Sequence, residues 1–390
     1  MRGPRRTAEG EQARREAASS GAAARVMETG ASEAGLAWPP VPWASIGDGI
    51  GAAADMSAGE TIRARLSVNP FLMAPMAGVT DAAYRLMARA GGAALAYSEM
   101  VSVTGIHYKS EKTWELVDPN PAEPELAVQL FGSDVDHFRE AVPLVAERLG
   151  CRLALIDVNM ACPVPKVTKS GAGSALLDDP ELAARIVRTV REGLDECGRV
   201  EVPVTVKIRI GRRAGEAVGP EFARAMADGG AAAVAVHGRF ATQMYRGESN
   251  ASEVRKVVES VDVPVVASGD ALDAPRAAGL LRETGAMGCF VARGTYGNPW
   301  VFAGARSIVV GLPASTVTSA MRLEAFRLHV RLLDATGAHI ARAHSLAGWY
   351  LRGVPDAAAW RERAMHCATT YDYLELADVI EARLASGNEG

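Results

Sequence analysis

A cysteine stands in the run Asp157-Val158-Asn159-Met160-Ala161-Cys162-Pro163, just past a short apolar stretch, 153–156. That stretch reads as a buried strand, and Asp157 and Asn159 share the parity of its inward positions. Polar groups at the C-terminal end of a buried strand, followed by a thiol on a loop, describe a mouth for chemistry. Packing alone asks for neither. Residues 204–209 read as another strand, with Thr205, Lys207 and Arg209 on its inward parity. A lysine inside a core is costly unless something anionic or electron-rich meets it, so Lys207 is the strongest ligand candidate, with an internal ion pair as the alternative. Gln129 adds an amide that can both donate and accept.

Other runs finish in the same manner. Ala74-Pro75-Met76-Ala77-Gly78 offers small residues that let backbone approach a flat ring. His237-Gly238-Arg239 ends a strand with an imidazole, either ligand or packed side chain. Ser268-Gly269-Asp270 and Ala292-Arg293-Gly294 end two more, where backbone N–H groups and Arg293 suit a phosphate. Together these groups outline a pocket for a phosphorylated, planar redox cofactor. FMN fits better than NAD, because no strand–Gly-x-Gly-x-x-Gly–helix unit is present.

The elements that must position these groups alternate. Strand-like runs fall at 71–76, 94–100, 126–131, 153–159, 202–210, 232–237, 264–267 and 288–292, with helical stretches such as 82–89, 135–149, 180–192 and 221–228 between them. Eight strands alternating with helices predict an α/β fold, a (β/α)8 TIM barrel over 66–313, with its site at the strand C-terminal ends. After Pro313 the alternation stops. Residues 319–336, 339–351 and 357–384 read as helices, so an all-α helical domain over 314–386 follows the barrel and points to a large substrate, with dimerisation as the alternative. Residues 1–65 show no apolar periodicity and are expected to be a disordered extension, with Met27 and Met56 as possible later starts. Gly47-Asp48-Gly49-Ile50-Gly51 resembles a nucleotide loop but follows no strand.

The chain of 390 residues has a net charge of −4 and 48% apolar residues. That balance gives no global attraction to nucleic acid, so any RNA binding must use a local patch. No apolar run is long enough for a membrane span, and the five scattered cysteines form no metal or disulfide pattern. The chain reads as cytoplasmic, with no metal and no membrane. Cys151 and Cys289 read as core, and Cys197 and Cys367 as residues near helix ends.

Seven ordered motifs carry a resemblance: Ala74-Pro75-Met76-Ala77-Gly78-Val79-Thr80-Asp81, Asp157-x-Asn159-x-x-Cys162-Pro163, Lys166-Val167, Gly171-x-Gly173-Ser174-Ala175-Leu176, Val206-Lys207-Ile208-Arg209-x-Gly211, Val236-His237-Gly238-Arg239 and Gly297-x-Pro299-Trp300. Over about residues 68–375 the chain resembles the tRNA-dihydrouridine synthases. It is nearest the bacterial branch with a C-terminal helical domain, which Ala341-Arg342-Ala343-His344 and Trp349-Tyr350 also match. Against the family pattern, Ala161 replaces glycine before the cysteine, Ser268 replaces asparagine, Ala292 replaces glycine, and Ala343 replaces a lysine often found there.

The resemblance implies that NADPH reduces a bound FMN, which then delivers hydride to C6 of a uracil ring in tRNA while Cys162 protonates C5. A thiol's reference pKa of about 8.5 suits a proton donor at neutral pH. Pro75, Met76, Ala77, Gln129, Lys207, His237, Ser268, Gly269, Asp270, Ala292 and Arg293 would hold FMN, Lys207 beside the ring edge that becomes anionic on reduction. Asn159 and Arg209 would read the uracil, swung out of the tRNA. Lys166, Lys169, Arg246, Arg342 and Arg352 would meet phosphates. Gly171 and Gly173 would let the Cys162 loop close over the ring. The expected protein is a monomer with tRNA and NAD(P)H as partners. Rival readings are an FMN oxidoreductase of a free pyrimidine or small enone, and a tRNA-binding chaperone.

Overall fold

Short runs of valine, isoleucine and leucine, separated by amphipathic helices, close on themselves in the computed structural model, which describes residues 21–38 and 57–386. The strands are β1 Phe71–Met73, β2 Tyr97–Ser102, β3 Leu126–Phe131, β4 Leu153–Met160, β5 Val204–Arg209, β6 Ala233–His237, β7 Val265–Ser268 and β8 Gly288–Val291. All pair in parallel in the order β1-β8-β7-β6-β5-β4-β3-β2. A bridge between Met73 and Ala96 joins β1 to β2, with Met73 N–H on Leu95 O at 2.9 Å and Ala94 N–H on Phe71 O at 2.8 Å. The expected TIM barrel is the observed one.

Helices cover the outside because their apolar residues share one face. The helix Pro180–Glu196 is typical: proline opens it, Asp179 caps it by accepting the Leu182 N–H at 2.9 Å, and Ala183, Ile186, Val187, Val190 and Leu194 are buried. Inside the barrel, register stacks the polar residues in rows. Met100, Gln129, Asp157 and Thr205 lie side by side, then Asn159 beside Lys207, then Arg209, His237 and Ser268. The strand ends thus carry the polar groups toward one opening.

Beyond the barrel lie the helices Ser319–Ala335, Ala343–Tyr350, Ala357–Ala364 and Thr370–Ser386. Two expectations need correction here. The single helix expected over 357–384 is broken at 365–369, because Asp372 accepts the N–H groups of Ala368 and Thr369 at 2.8 Å while Thr369 Oγ1 accepts the Asp372 N–H at 3.2 Å. This reciprocal cap starts a new helix. The expected helix over 339–351 begins as a tight turn, Ile340–Arg342, led by His339, whose ring nitrogen accepts the Ala341 N–H at 3.1 Å.

The expectation of disorder over 1–65 does not hold for residues 21–38 and 57–65. Residues Ala22–Gly30 form a helix, and Ala58–Val68 another with a Ser57/Glu60 capping box. Ala23, Met27, Ala31 and Ala34 recur at helical spacing and are buried against Leu328, Phe326 and Trp300. Alanine makes that periodicity inconspicuous in sequence. Trp300 Nε1–H donates to Ala34 O at 2.8 Å, and Ala37 N–H to Ala90 O at 3.0 Å, so the segment straps barrel to helices. The Gly47-to-Gly51 run and Met56 lie outside the described residues.

Candidate active site

The mouth of the barrel is a cavity of about 970 Å3, walled by the ends of the strands and the loops that follow them. At its rim sits Cys162, half-buried, on the loop after β4. Three groups hold the backbone around it. Asn159 Oδ1 accepts the N–H groups of Ala161 (3.2 Å) and Cys162 (2.9 Å), Arg209 Nε donates to Ala161 O at 2.8 Å, and Ser174 N–H donates to Cys162 O at 2.9 Å. Gly173 was expected to serve loop closure. It has φ +61°, and a Cβ on it would stand 2.7 Å from Cys162 O, so glycine is needed there for close approach.

Behind Asn159 the interior is polar and fully paired. Asn159 Nδ2 donates to Gln129 Oε1 at 2.7 Å, Gln129 Nε2 to Asp157 Oδ2 at 2.6 Å, and Thr205 Oγ1–H to Asp157 Oδ1 at 2.6 Å. Burial pushes the Asp157 carboxyl up to about 6, opposed by its hydrogen bonds to Gln129 and Thr205 and by the Lys207 charge.

Lys207 is buried on the cavity wall and makes no hydrogen bond or ion pair with another described residue. Burial and the neighbouring Arg209 charge lower it to about 8, so it stays largely protonated at neutral pH. His237 lies in the same field. Burial, then Lys207, Arg209, Arg239 and Arg293, hold it well below its ordinary value, and it is neutral. Arg239 Nη1 meets His237 Nε2 at 3.3 Å. A guanidinium only donates, so Nε2 accepts and Nδ1 carries the proton.

At the other side, Asp270 (φ 56°) gathers Arg239 at 2.7 Å, the Ser249 N–H at 2.8 Å and Arg293 at 3.1 Å. Burial alone would raise its carboxyl, but these donors hold it below the usual range. Gly269 has φ +124°, and a Cβ there would stand 2.2 Å from Ser249 Oγ. That hydroxyl is buried with no hydrogen-bond partner among the described residues. The backbone of Gly269 and the guanidinium of Arg293, both on the cavity wall, suit a phosphate, and the broad cavity beside Lys207 and His237 suits a flat ring that gains electrons.

Of the residues expected at a cofactor, Pro75, Met76, Ala77, Lys207, His237, Ser268, Gly269, Asp270, Ala292 and Arg293 all line this cavity. Gln129 lies one layer beneath the wall, fully buried, its amide bridging Asp157 and Asn159. Among the expected substrate readers, Asn159 lines the cavity with its amide committed to protein partners. Arg209 does too, but spends Nε and Nη1 on the carbonyls of Ala161, Phe240 and Met244. Lys166 is exposed at the rim, and Lys169, Arg246 and Arg352 are exposed beyond it. Arg342 is elsewhere: its guanidinium meets Gly78 O (2.8 Å), Asp81 (3.1 Å) and Glu99 (3.3 Å), tying the C-terminal helices to the loop after β1. Cys151, expected in the core, is exposed on the turn Gly150–Arg152.

Sequence reasoning missed Ser249, Tyr245 and Tyr296, and it did not single out Arg239 as the anchor of Asp270. The His237-Gly238-Arg239 triplet carried a signal for the last. Ser249 and Tyr245 lie on an aperiodic loop, where neither spacing nor parity marks a residue. Tyr245 stands at the mouth with the Arg209 and Arg293 guanidinium groups 5.9 and 5.8 Å from its ring centre.

A family model described as dihydrouridine synthase matches residues 72–385. The chain is 37% identical over 325 residues to tRNA-dihydrouridine synthase B of Xanthomonas axonopodis pv. citri, covering 80% of this chain and 93% of that protein. It is 36% identical over 301 residues to tRNA-dihydrouridine synthase B of Pseudomonas syringae pv. tomato, covering 75% of this chain and 86% of that protein.

Proposed function

Because this chain belongs to the dihydrouridine synthase family, we propose that it reduces the C5=C6 bond of uridine in tRNA, with FMN supplying hydride to C6, NADPH as the reductant and Cys162 as the proton donor to C5. Reduction of uridine in tRNA follows from the family, which is flavin-dependent. The particular cofactors and residue roles are our reading of the site. The observation that carries it is the placing of Cys162 at the rim of a cavity lined by Lys207, His237 and the Ser268-to-Asp270 cradle.

FMN fits these residues. The backbone around Gly269 would hold its phosphate, helped by Arg293, and Pro75, Met76 and Ala77 would lie along the ring. Lys207 would place a positive charge, and His237 an Nδ1–H donor, where the ring gains electron density. Gln129 would support this wall from beneath, through Asn159.

The thiol of Cys162 has one proton to give, and the bonds to Asn159, Arg209 and Ser174 keep its backbone from retreating. Oriented this way, proton transfer is worth about 10^2- to 10^4-fold in rate. Asn159 and Arg209 would then meet the uracil only with what their protein bonds leave, which for Arg209 includes Nη2. Lys166, Lys169, Arg246 and Arg352 would contact phosphates around the rim. We place the protein in the cytoplasm as a monomer, where its five free thiols suit a reducing compartment.

The test is nucleoside mass spectrometry of tRNA from cells lacking the gene, complemented with wild type or Cys162→Ala, together with stopped-flow reduction of the purified flavoprotein by NADPH. The expected result is dihydrouridine restored by wild type alone, with flavin reduction equal in both proteins. Equal restoration by Cys162→Ala would remove the cysteine from the mechanism. Unchanged dihydrouridine in a strain without a redundant enzyme would point to a free pyrimidine as substrate.

A further inference from the structure

Asp157 has no place on the cavity wall, yet the atoms that orient Cys162 lead back to it. Resting on the reading of Cys162 as the proton donor, we propose that Asp157 is a positioning residue: its acceptor oxygens set the polarity of a buried amide chain, Gln129 to Asn159, that holds the backbone of Cys162.

The atom types along this chain are dictated by what each neighbour can do. The N–H groups of Ala161 and Cys162 can only donate, and they reach Asn159 Oδ1 at 3.2 and 2.9 Å. With its oxygen spent, Asn159 turns its NH2 toward Gln129, whose Oε1 accepts at 2.7 Å. Gln129 then has only NH2 for its far side, and Asp157 Oδ2 accepts it at 2.6 Å. The second carboxylate oxygen accepts the Thr205 hydroxyl at 2.6 Å. Turning either amide over would set N–H against N–H, or oxygen against oxygen. Gln129, Asn159 and Asp157 are 0%, 5% and 1% exposed, so little water can stand in for a lost partner. One end is fixed by backbone donors and the other by an acceptor. Remove the acceptor and Gln129 loses the partner that keeps its Oε1 turned toward Asn159, so the amide that Cys162 leans on is held from one end only.

The role belongs to the acceptor oxygens of Asp157, and its negative charge has none. Asparagine at 157 can keep an oxygen toward Gln129 and give its NH2 to Thr205, whose hydroxyl turns to accept. Leucine offers nothing. The experiment compares Asp157→Asn, Asp157→Leu, Gln129→Met and the double variant Asp157→Leu/Gln129→Met, each loaded with flavin. It measures hydrogen exchange of the peptide spanning 161–167, single-turnover reduction of tRNA, and flavin reduction by NADPH.

We expect Asp157→Asn to stay within about 3-fold of wild type. Asp157→Leu and Gln129→Met should each speed exchange over 161–167 and slow tRNA reduction by about 10- to 100-fold, as small misplacements of a reacting group do. Flavin reduction should fall far less than tRNA reduction, and the double variant should be no worse than either single one. Asp157→Asn behaving like Asp157→Leu would overturn the proposal in favour of a charge effect. So would unchanged exchange over 161–167 in Gln129→Met, the variant that keeps the carboxylate if Asp157→Leu does not fold. Faster loop exchange with unchanged tRNA turnover would instead sink the assignment of Cys162 as proton donor while leaving the positioning role standing.

Discussion

Arg342→Met keeps most of the side chain's length and removes its charge, and the structure says what that charge holds. One guanidinium nitrogen donates to Gly78 O at 2.8 Å and faces Asp81 at 3.1 Å, while the other meets Glu99 at 3.3 Å. Glu99 in turn accepts the Gly78 N–H at 2.6 Å. The loop so gripped carries Met76, Ala77 and Val79 on the cavity wall. The side chain of Arg342 is 34% exposed, those of Asp81 and Glu99 only 15% and 12%. A broken buried pair costs about 3–5 kcal/mol and an exposed one about 0–1, so about 1–3 is expected here. Thermal unfolding should fall by a few degrees, and flavin should dissociate faster. The assay that decides is tRNA binding across a range of KCl concentration. A residue that contacts phosphate contributes nearly one unit to the slope of log K against log salt, about 0.7–0.9 per contact. Since the Arg342 charge is spent on Asp81 and Glu99, the slope should not change. A slope reduced by about one unit with an unchanged melting temperature would refute this reasoning and return Arg342 to the RNA.

His329 is buried between Tyr84 and Tyr350, its Nδ1 at 3.1 Å from the Tyr350 hydroxyl and its Nε2 without a partner among the described residues. Burial lowers it to about 3. Between that value and the unfolded value of about 6.5 the unfolded chain binds the extra proton, so stability falls as pH drops, by up to about 1.4 kcal/mol per unit. Melting curves of His329→Phe should therefore lose less stability than wild type between pH 7 and 5, and parallel curves would count against the buried neutral histidine. Gly269→Ala meets both a φ of +124° and the Ser249 hydroxyl at 2.2 Å; flavin content of the purified protein should drop several-fold, and Ser249→Ala should not rescue it, because the backbone strain remains. Lys166→Ala should leave flavin binding intact and lower the salt slope of tRNA binding by about 0.7–0.9, whereas an unchanged slope would make Lys166 a solvated rim residue. Trp300→Phe deletes the N–H held by Ala34 O at 2.8 Å; it should cost about 1 kcal/mol and raise proteolysis or hydrogen exchange within 21–38.

How much of this was legible before folding depends on whether the signal was local. Strand runs could be counted because buried parallel strands are continuous apolar stretches, and their polar ends stand out against them. Parity placed Lys207, Arg209 and Asn159 inward, and inward they are. The Cys162 loop and the Ser268-Gly269-Asp270 cradle were readable for the same reason, since each lies directly after its strand. The alanine-rich helix Ala22–Gly30 was not, because small residues give little hydrophobic contrast until they meet Leu328 and Phe326. The break before Thr370 was written in Thr369 and Asp372, but it competed with an unbroken apolar period.

Direction along a strand says which way a side chain points; it says nothing of what waits there. Asn159 was rightly turned inward, yet only the packed barrel pairs its amide with that of Gln129, and Gln129 with Asp157, leaving Gln129 under the wall. Arg342 and Gly78 stand 264 positions apart, and no local pattern can reveal that a guanidinium closes on a carbonyl so distant. The identities and spacing of residues determined the barrel, the family and the place of the Cys162 thiol just past a strand end. Tertiary structure decided which polar groups are left free to meet a ligand, because hydrogen-bonding capacity is shared among neighbours in space and is already spent on protein when the chain has folded.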